Sequence, residues 1–266
     1  MIMTTRRSFN GLILAGVASG LTVRATNAYA DGLGDIMKSG TVRIAVPQDF
    51  PPFGSVGTDL QPQGYDIDMA KLVASKLGVK LVLTPVTSEN RIPFLQTKKV
   101  DLIISSLGKT PDRALVIDFS NEYAPYVSGV FGPPDVEVST PADLAGKTIG
   151  VTRGALEDLE VTKIAPPGTV ITRYGDNQST ISAFLSGQTQ LIGTASAVAS
   201  AIIARHPPRL PGLKLTLKNS PCYIGLSKGE PTLMAKLNVI IASAKADGSL
   251  NAISLKWLGT PLPAGF

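Results

Sequence analysis

Val100-Asp101-Leu102-Ile103-Ile104-Ser105-Ser106-Leu107-Gly108-Lys109-Thr110-Pro111-Asp112-Arg113 carries a strand signal followed at once by a helix start. Its first six residues form an apolar run bounded by polar ones, the pattern of a strand buried on both faces. Thr110-Pro111-Asp112 then starts a helix. The threonine hydroxyl can accept from a free amide of the first turn, the proline sits where its missing N–H is not needed, and the acid lies beside the positive end of the helix dipole. Upstream, 42–46 is a short β-rich run and 67–77 carries apolar residues at helical spacing up to Gly78. Residues 79–86 read as a strand and 91–96 as a short helix.

Downstream the alternation continues with different residues. Thr140-Pro141-Ala142-Asp143 is a second capped helix start. Strands are expected at 147–152, 170–174, 191–192 and 213–217, and helices at 155–164 and 179–186, the latter ended by Gly187. A long amphipathic helix at 231–247 closes at Gly248, and a shorter one follows at 250–258. Strands and helices of these lengths in alternation predict α/β sheets with helices on their faces.

Composition narrows the function. The 266 residues carry a formal charge of +5, but Arg6, Arg7 and Arg24 fall in the first thirty residues, which hold no acid. The remaining chain is left with 22 basic and 20 acidic residues. Charge this weak and dispersed excludes a nucleic-acid footprint, which needs clustered cations. A single cysteine, Cys222, rules out an internal disulfide, and a single histidine, His206, rules out a His-rich metal site. Residues 1–30 read as an export address: Arg6-Arg7, a modest apolar stretch at 12–23, then the small-x-small pattern Ala28-Tyr29-Ala30. Thr5-Arg6-Arg7-Ser8-Phe9 resembles a twin-arginine signal, with an ordinary secretory signal as the alternative. The apolar stretch is too short for a comfortable membrane span, so residues 31–266 are expected to work in the periplasm.

Four stretches resemble the polar amino-acid family of periplasmic solute-binding proteins, over about residues 36–260. They are Gly64-Tyr65-Asp66-Ile67-Asp68, the block from Thr87-Ser88-Glu89-Asn90-Arg91-Ile92-Pro93 to Asp101, Thr110-Pro111-Asp112-Arg113 with Asp118-Phe119-Ser120 and Tyr123, and Asp143-Leu144-Ala145-Gly146-Lys147-Thr148-Ile149-Gly150-Val151. The resemblance implies a two-lobed α/β fold that closes about a hinge. Lobe 1 would comprise 31–124 plus 223–266 and lobe 2 127–220, with crossovers near 123–128 and 219–223. It also implies a monomer without cofactor or metal, which binds a small carboxylate-bearing solute and delivers it to the membrane permease of an ABC importer. Two other readings use the same fold: a cyclohexadienyl dehydratase-like enzyme, with Glu122 or Glu157 as its acid, and a soluble ligand-sensing module.

Arg113 is the leading candidate contact. A guanidinium can hold a carboxylate by two parallel hydrogen bonds, and in the family the matching arginine binds the solute's α-carboxylate; pairing with Asp112 or Asp118 is the structural alternative. Gly154-Ala155-Leu156 opens a helix of lobe 2 whose free amides should face the same group. Glu157 and Asp158 in that first turn read as partners of the helix dipole. Ser106, Leu107 and Gly108 end a central strand, where open α/β sheets place ligands. Phe50 is expected as an aromatic wall and Phe53 as core. In glutamate- and aspartate-binding relatives the residues matching Ser88 and Arg91 reach a side-chain carboxylate; the alternative is that Arg91 serves its own helix or Glu89.

Three departures from the family pattern stand out. Gly108 replaces a threonine, Thr152 a lysine or glutamine, and Ala195, after Thr194, the acid that holds the α-ammonium. Either another acid (Asp49, Glu122 or Asp176) takes over, or the solute has no free α-amino group. His206 reads as a surface residue, Cys222 as a buried structural thiol, and Trp257 as a packing anchor.

Overall fold

The computed structural model describes residues 32–266, and the export address at 1–30 lies outside the described residues. Helix α1 (Gly32–Ser39) leads into β1 (Thr41–Pro47), whose last four residues are all buried. A small hairpin of β2 (Ser55–Val56) and β3 (Pro62–Gln63) precedes α2 (Tyr65–Leu77). Gly64 permits that entry. Its φ is 140°, and a Cβ there would stand 2.2 Å from the Phe53 carbonyl oxygen. β4 (Lys80–Val86), α3 (Arg91–Gln96), β5 (Leu102–Ile103), α4 (Pro111–Val116) and β6 (Ile117–Ala124) complete the first pass.

The chain then enters a second sheet through β7 (Val127–Gly132) and a 3-10 turn at Pro141–Leu144. β8 (Thr148–Thr152), α5 (Leu156–Ile164), β9 (Val170–Tyr174), α6 (Asn177–Leu185), β10 (Leu191–Ala195), α7 (Ser196–Ile203) and β11 (Gly212–Asn219) follow. It returns with β12 (Cys222–Ser227), α8 (Pro231–Ala246) and α9 (Ser249–Leu258). The sheet orders are β4-β1-β5-β12-β6 and β11-β7-β10-β8-β9. β1 runs parallel to β4 and β5, and β8 to β9 and β10, while β12 and β7 enter their sheets antiparallel. Two α/β lobes are therefore joined by two chain segments, at 125–126 and 220–221.

The strand expected at 100–105 pairs as a two-residue strand, but its ladder extends through Asp101 N–H to Arg43 and Ile104 N–H to Ala45. Several elements carried no clear local signal, among them α1, β2, β3, β6, β7 and β12. β6 and β12 are paired with register shifts at Cys222/Tyr223 and Tyr223/Gly225, which break the two-residue period a strand otherwise writes into its sequence. β7 has five buried residues in succession, flanked by β11 and β10 within its sheet, so it shows no alternation either. One apolar cluster runs from the core of lobe 1 through Phe53, Tyr123 and Tyr126 to Leu156, Ala195 and Val198 of lobe 2. Separate clusters fill the rest of lobe 1 and of lobe 2. Among the described residues no helix is long and apolar enough to cross a membrane.

Candidate functional site

The lobes meet around a narrow crevice of about 20 Å³. Lobe 1 contributes Phe50, Ser88, Arg91, Ser105 and Ser106, the hinge contributes Tyr126, and lobe 2 contributes Ala155, Leu156, Glu157 and Asn177. Thr110 caps α4 as its sequence predicts, by accepting the Arg113 N–H at 3.2 Å, with Pro111 at the first helical position. That cap turns the Arg113 side chain into the inter-lobe gap. Only 7 % of the residue is exposed, and it does not pair with Asp112 or Asp118. Its Nη1 donates to the Gly108 carbonyl at 2.7 Å and its Nη2 crosses to the Gly154 carbonyl of lobe 2 at 2.9 Å. Arg113 thus stands at the rim of the crevice, in the outer groove that it lines with Glu89, Arg153 and Gly154.

Arg91 faces the crevice itself. It is 3 % exposed, its Nη1 donates to the Ser105 carbonyl, and its Nε is buried without a hydrogen-bond partner. Burial lowers the pKa of both guanidiniums. Arg113 falls to about 9, first through desolvation and then through repulsion by Arg91.

Across the crevice, α5 begins at Leu156 behind Ala155, and no side chain caps it. Its two first-turn acids, alike in sequence, part company in space. Asp158 accepts from Gly154 N–H at 3.0 Å and pairs with Arg173 at 2.7 Å. Glu157 is 2 % exposed and turns into the crevice, where Tyr126 O–H donates to its Oε1 at 2.7 Å. Burial raises its pKa against that hydrogen bond and the pull of Arg91 and Arg113. Arg91, Arg113 and Glu157 are all buried, all at the cleft, and none has an opposite charge within salt-bridge distance among the described residues.

Beyond Phe50 a small polar pocket holds Thr152, Thr180, Asn177 and Thr194. Thr152 O–H donates to Asn177 Oδ1 at 2.9 Å and lies 2.8 Å from the Thr180 hydroxyl. Ser106 is fixed from behind. Asp66, fully buried, accepts from its N–H at 2.7 Å and its O–H at 2.9 Å, and from Tyr123 O–H at 2.6 Å. Desolvation pushes the pKa of Asp66 up to about 6 in spite of these donors.

Of the residues proposed from sequence, Phe50, Ser88, Arg91, Ser106, Ala155 and Leu156 line the crevice, and Thr152 and Thr194 line the pocket beside it. Arg113 and Gly154 form the cross-lobe contact at the rim. Leu107 is core, with its carbonyl accepting from Tyr223 N–H, and Ala195 sits in the apolar cluster, so neither lines the crevice. Gly108 offers its carbonyl to Arg113, and a Cβ on it would stand 3.0 Å from Leu156 Cδ2. The absent threonine and the leucine across the cleft therefore accommodate one another. Phe53 is core, stacked on Phe50. The acids named as substitutes are engaged elsewhere. Asp176 caps α6 through Ser179, Glu122 pairs with Lys245 at 3.0 Å, and Asp49 reaches across to α6. Sequence reading gave Glu157 as a helix-dipole partner, or as the acid of the alternative enzyme reading, and not as a solute contact; it missed Tyr126 and Asn177 as crevice residues.

Comparison with known proteins agrees with this two-lobed fold. The chain is similar to the L-cystine-binding protein TcyJ of Escherichia coli K12, 25 % identical over 260 residues that span 96 % of each chain. It is also similar to ABC transporter arginine-binding protein 1 of the same organism, 27 % identical over 81 % of this chain and 90 % of that one. The crystal structure of the ancestral amino acid-binding protein AncCDT-1, a precursor of cyclohexadienyl dehydratase, superposes with a TM-score of 0.77 at 28 % identity, over 85 % of this chain and 99 % of that one. The sequence model of the bacterial extracellular solute-binding proteins, family 3, matches residues 42–260, and the chain belongs to that family.

Proposed function

We propose that this protein binds an amino acid between its lobes and delivers it to the membrane permease of an ABC importer, after export to the periplasm by the address at residues 1–30. The observation that carries this reading is the pair of buried guanidiniums, Arg91 and Arg113, at one cleft without a carboxylate of the protein paired to either. Buried cations in that condition favour an anion that arrives with its own hydrogen-bond acceptors. The solute's α-carboxylate would meet Arg113 and the uncapped start of α5, with Phe50 covering its aliphatic part. The free Nε of Arg91 would take a second acceptor on the side chain, an amide or a carboxylate. A cationic side chain there would face a desolvated guanidinium, so arginine and lysine are disfavoured.

Thermal unfolding of the solute-stripped protein against the proteinogenic amino acids and L-cystine tests the reading. A bound solute at 100 times its Kd adds about 2.7 kcal/mol to folding stability. A melting temperature that stays fixed across the whole panel would overturn it.

A second reading keeps the cleft and gives it chemistry. The raised pKa of Glu157 would keep a carboxylic acid in place as a proton donor, as a cyclohexadienyl dehydratase-like reaction needs. Solute binding predicts no turnover of prephenate or arogenate, and turnover of either would favour the enzyme.

A further inference from the structure

We infer that Glu157 is the acceptor for the solute's α-ammonium group, so that the cleft selects a free amino acid over the same acid lacking its amino group. This deepens the solute-binding reading above and rests on it.

A carboxylate with 2 % exposure and no cation in salt-bridge contact is costly to bury. Glu157 holds this condition on the wall of a crevice, not inside a packed core. Tyr126 fixes one carboxylate oxygen by donating at 2.7 Å, and a carboxylate can accept several bonds in all. Glu157 lines both the crevice and the small pocket beside it, so its remaining capacity borders the space between the lobes. A primary ammonium carries three donors and the opposite charge, which makes it the group that best satisfies this site.

Elimination among the neighbouring acids leads to the same residue. Asp158, next in sequence, is held by Arg173 and Gly154. Asp66 already accepts three hydrogen bonds from Ser106 and Tyr123, and Asp49 three from Asn177 and Gln178. β10 ends in Ala195, which is buried among apolar residues and has no acid to offer. The charges are also arranged for a zwitterion: both guanidiniums project from α3 and α4 of lobe 1, while the carboxylate projects from α5 of lobe 2. A molecule with a negative and a positive pole can satisfy both walls at once, and only when the lobes are closed.

The test is calorimetric titration of the solute-stripped protein with the 20 proteinogenic L-amino acids and L-cystine, each beside the carboxylic acid that lacks its α-amino group. The parent should bind its best amino acid about 30- to 100-fold more tightly than the des-amino partner, the range of a lost charge-assisted hydrogen bond. Glu157→Gln should collapse that ratio toward one, and Tyr126→Phe should reduce it by a smaller factor. A parent indifferent to the amino group overturns the inference without recourse to any variant, as does a folded Glu157→Gln protein that keeps the parent's ratio. Should the parent bind neither series, the solute-binding reading itself falls and takes this inference with it.

Discussion

The two walls of the cleft are built to opposite rules. Lobe 1 presents cations, and its wall is braced from behind: Arg91 is tied to the Ser105 carbonyl, Arg113 to the Gly108 carbonyl, and Ser106 to Asp66. Lobe 2 presents the uncapped start of α5, the buried Glu157, and Asn177, which is held by Asp49 from the other lobe. The difference teaches where closure gets its selectivity. Each wall alone buries charge at a loss, and a solute bearing both signs removes that loss on both sides. Gly154 lets the walls approach. It adopts φ 71°, and a Cβ on it would stand 3.1 Å from Glu89 Cα of lobe 1.

The strongest way to break this asymmetry is Arg113→Ala, which removes the carboxylate grip and the cross-lobe bond to Gly154 together. Amino-acid affinity should fall by about 100-fold or more in calorimetry. Arg91→Ala should sharpen the comparison. A loss of about 10- to 30-fold is expected for solutes with a side-chain acceptor, against little change for L-alanine; an equal loss for all solutes would place Arg91 at the α-carboxylate instead.

Asp49 tests the link between the lobes without touching the crevice. Its carboxylate accepts from Asn177 N–H at 2.8 Å, Asn177 Nδ2–H at 3.0 Å and Gln178 N–H at 3.1 Å, across the cleft and at the positive end of α6. Asp49→Ala should speed solute release about 10-fold in stopped-flow measurements and leave the association rate within about three-fold, since a closure contact acts on residence time. Release at the parent's rate would show the contact to be incidental.

The smallest effect should come from pH. Glu157 is faced by Tyr126 at the hinge, Arg91 on α3, Arg113 on α4 and Cys222 on β12, and burial dominates to raise its pKa above 4.5. The folded protein therefore takes up this proton at a higher pH than the unfolded chain does. Its own contribution favours folding as pH falls through that window, while the protonated carboxyl can no longer pair with an ammonium. Affinity should weaken on acidification earlier than an ordinary glutamate would predict, and Glu157→Gln should flatten that profile.

What was legible in the sequence was what neighbours in the chain decide. Thr110 and Pro111 announce α4 because a cap acts over three residues, and Arg113 is placed by that cap. Arg91 was legible through its block's resemblance to the family, since α3 has no side-chain cap, and the role of Asp66 behind Ser106 was not read. Contacts between the lobes were illegible. Glu157 and Asp158 share one helical turn and one dipole, and only the packing of Arg173 against one and Tyr126 against the other separates their roles. Asp49 meets Asn177 at a sequence distance of 128 residues, beyond any local pattern. The hinge strands β6 and β12 were missed because register shifts erase their period, although Asp118-Phe119-Ser120 was recognised as a motif.

A crystal structure of the protein with its best-binding amino acid would show directly whether the solute's two poles are divided between the lobes. The expected complex has a carboxylate oxygen within about 3 Å of an Arg113 or Arg91 nitrogen and the ammonium within about 3 Å of a Glu157 oxygen. An amino acid bound with its ammonium toward lobe 1, or held outside the crevice altogether, would contradict it.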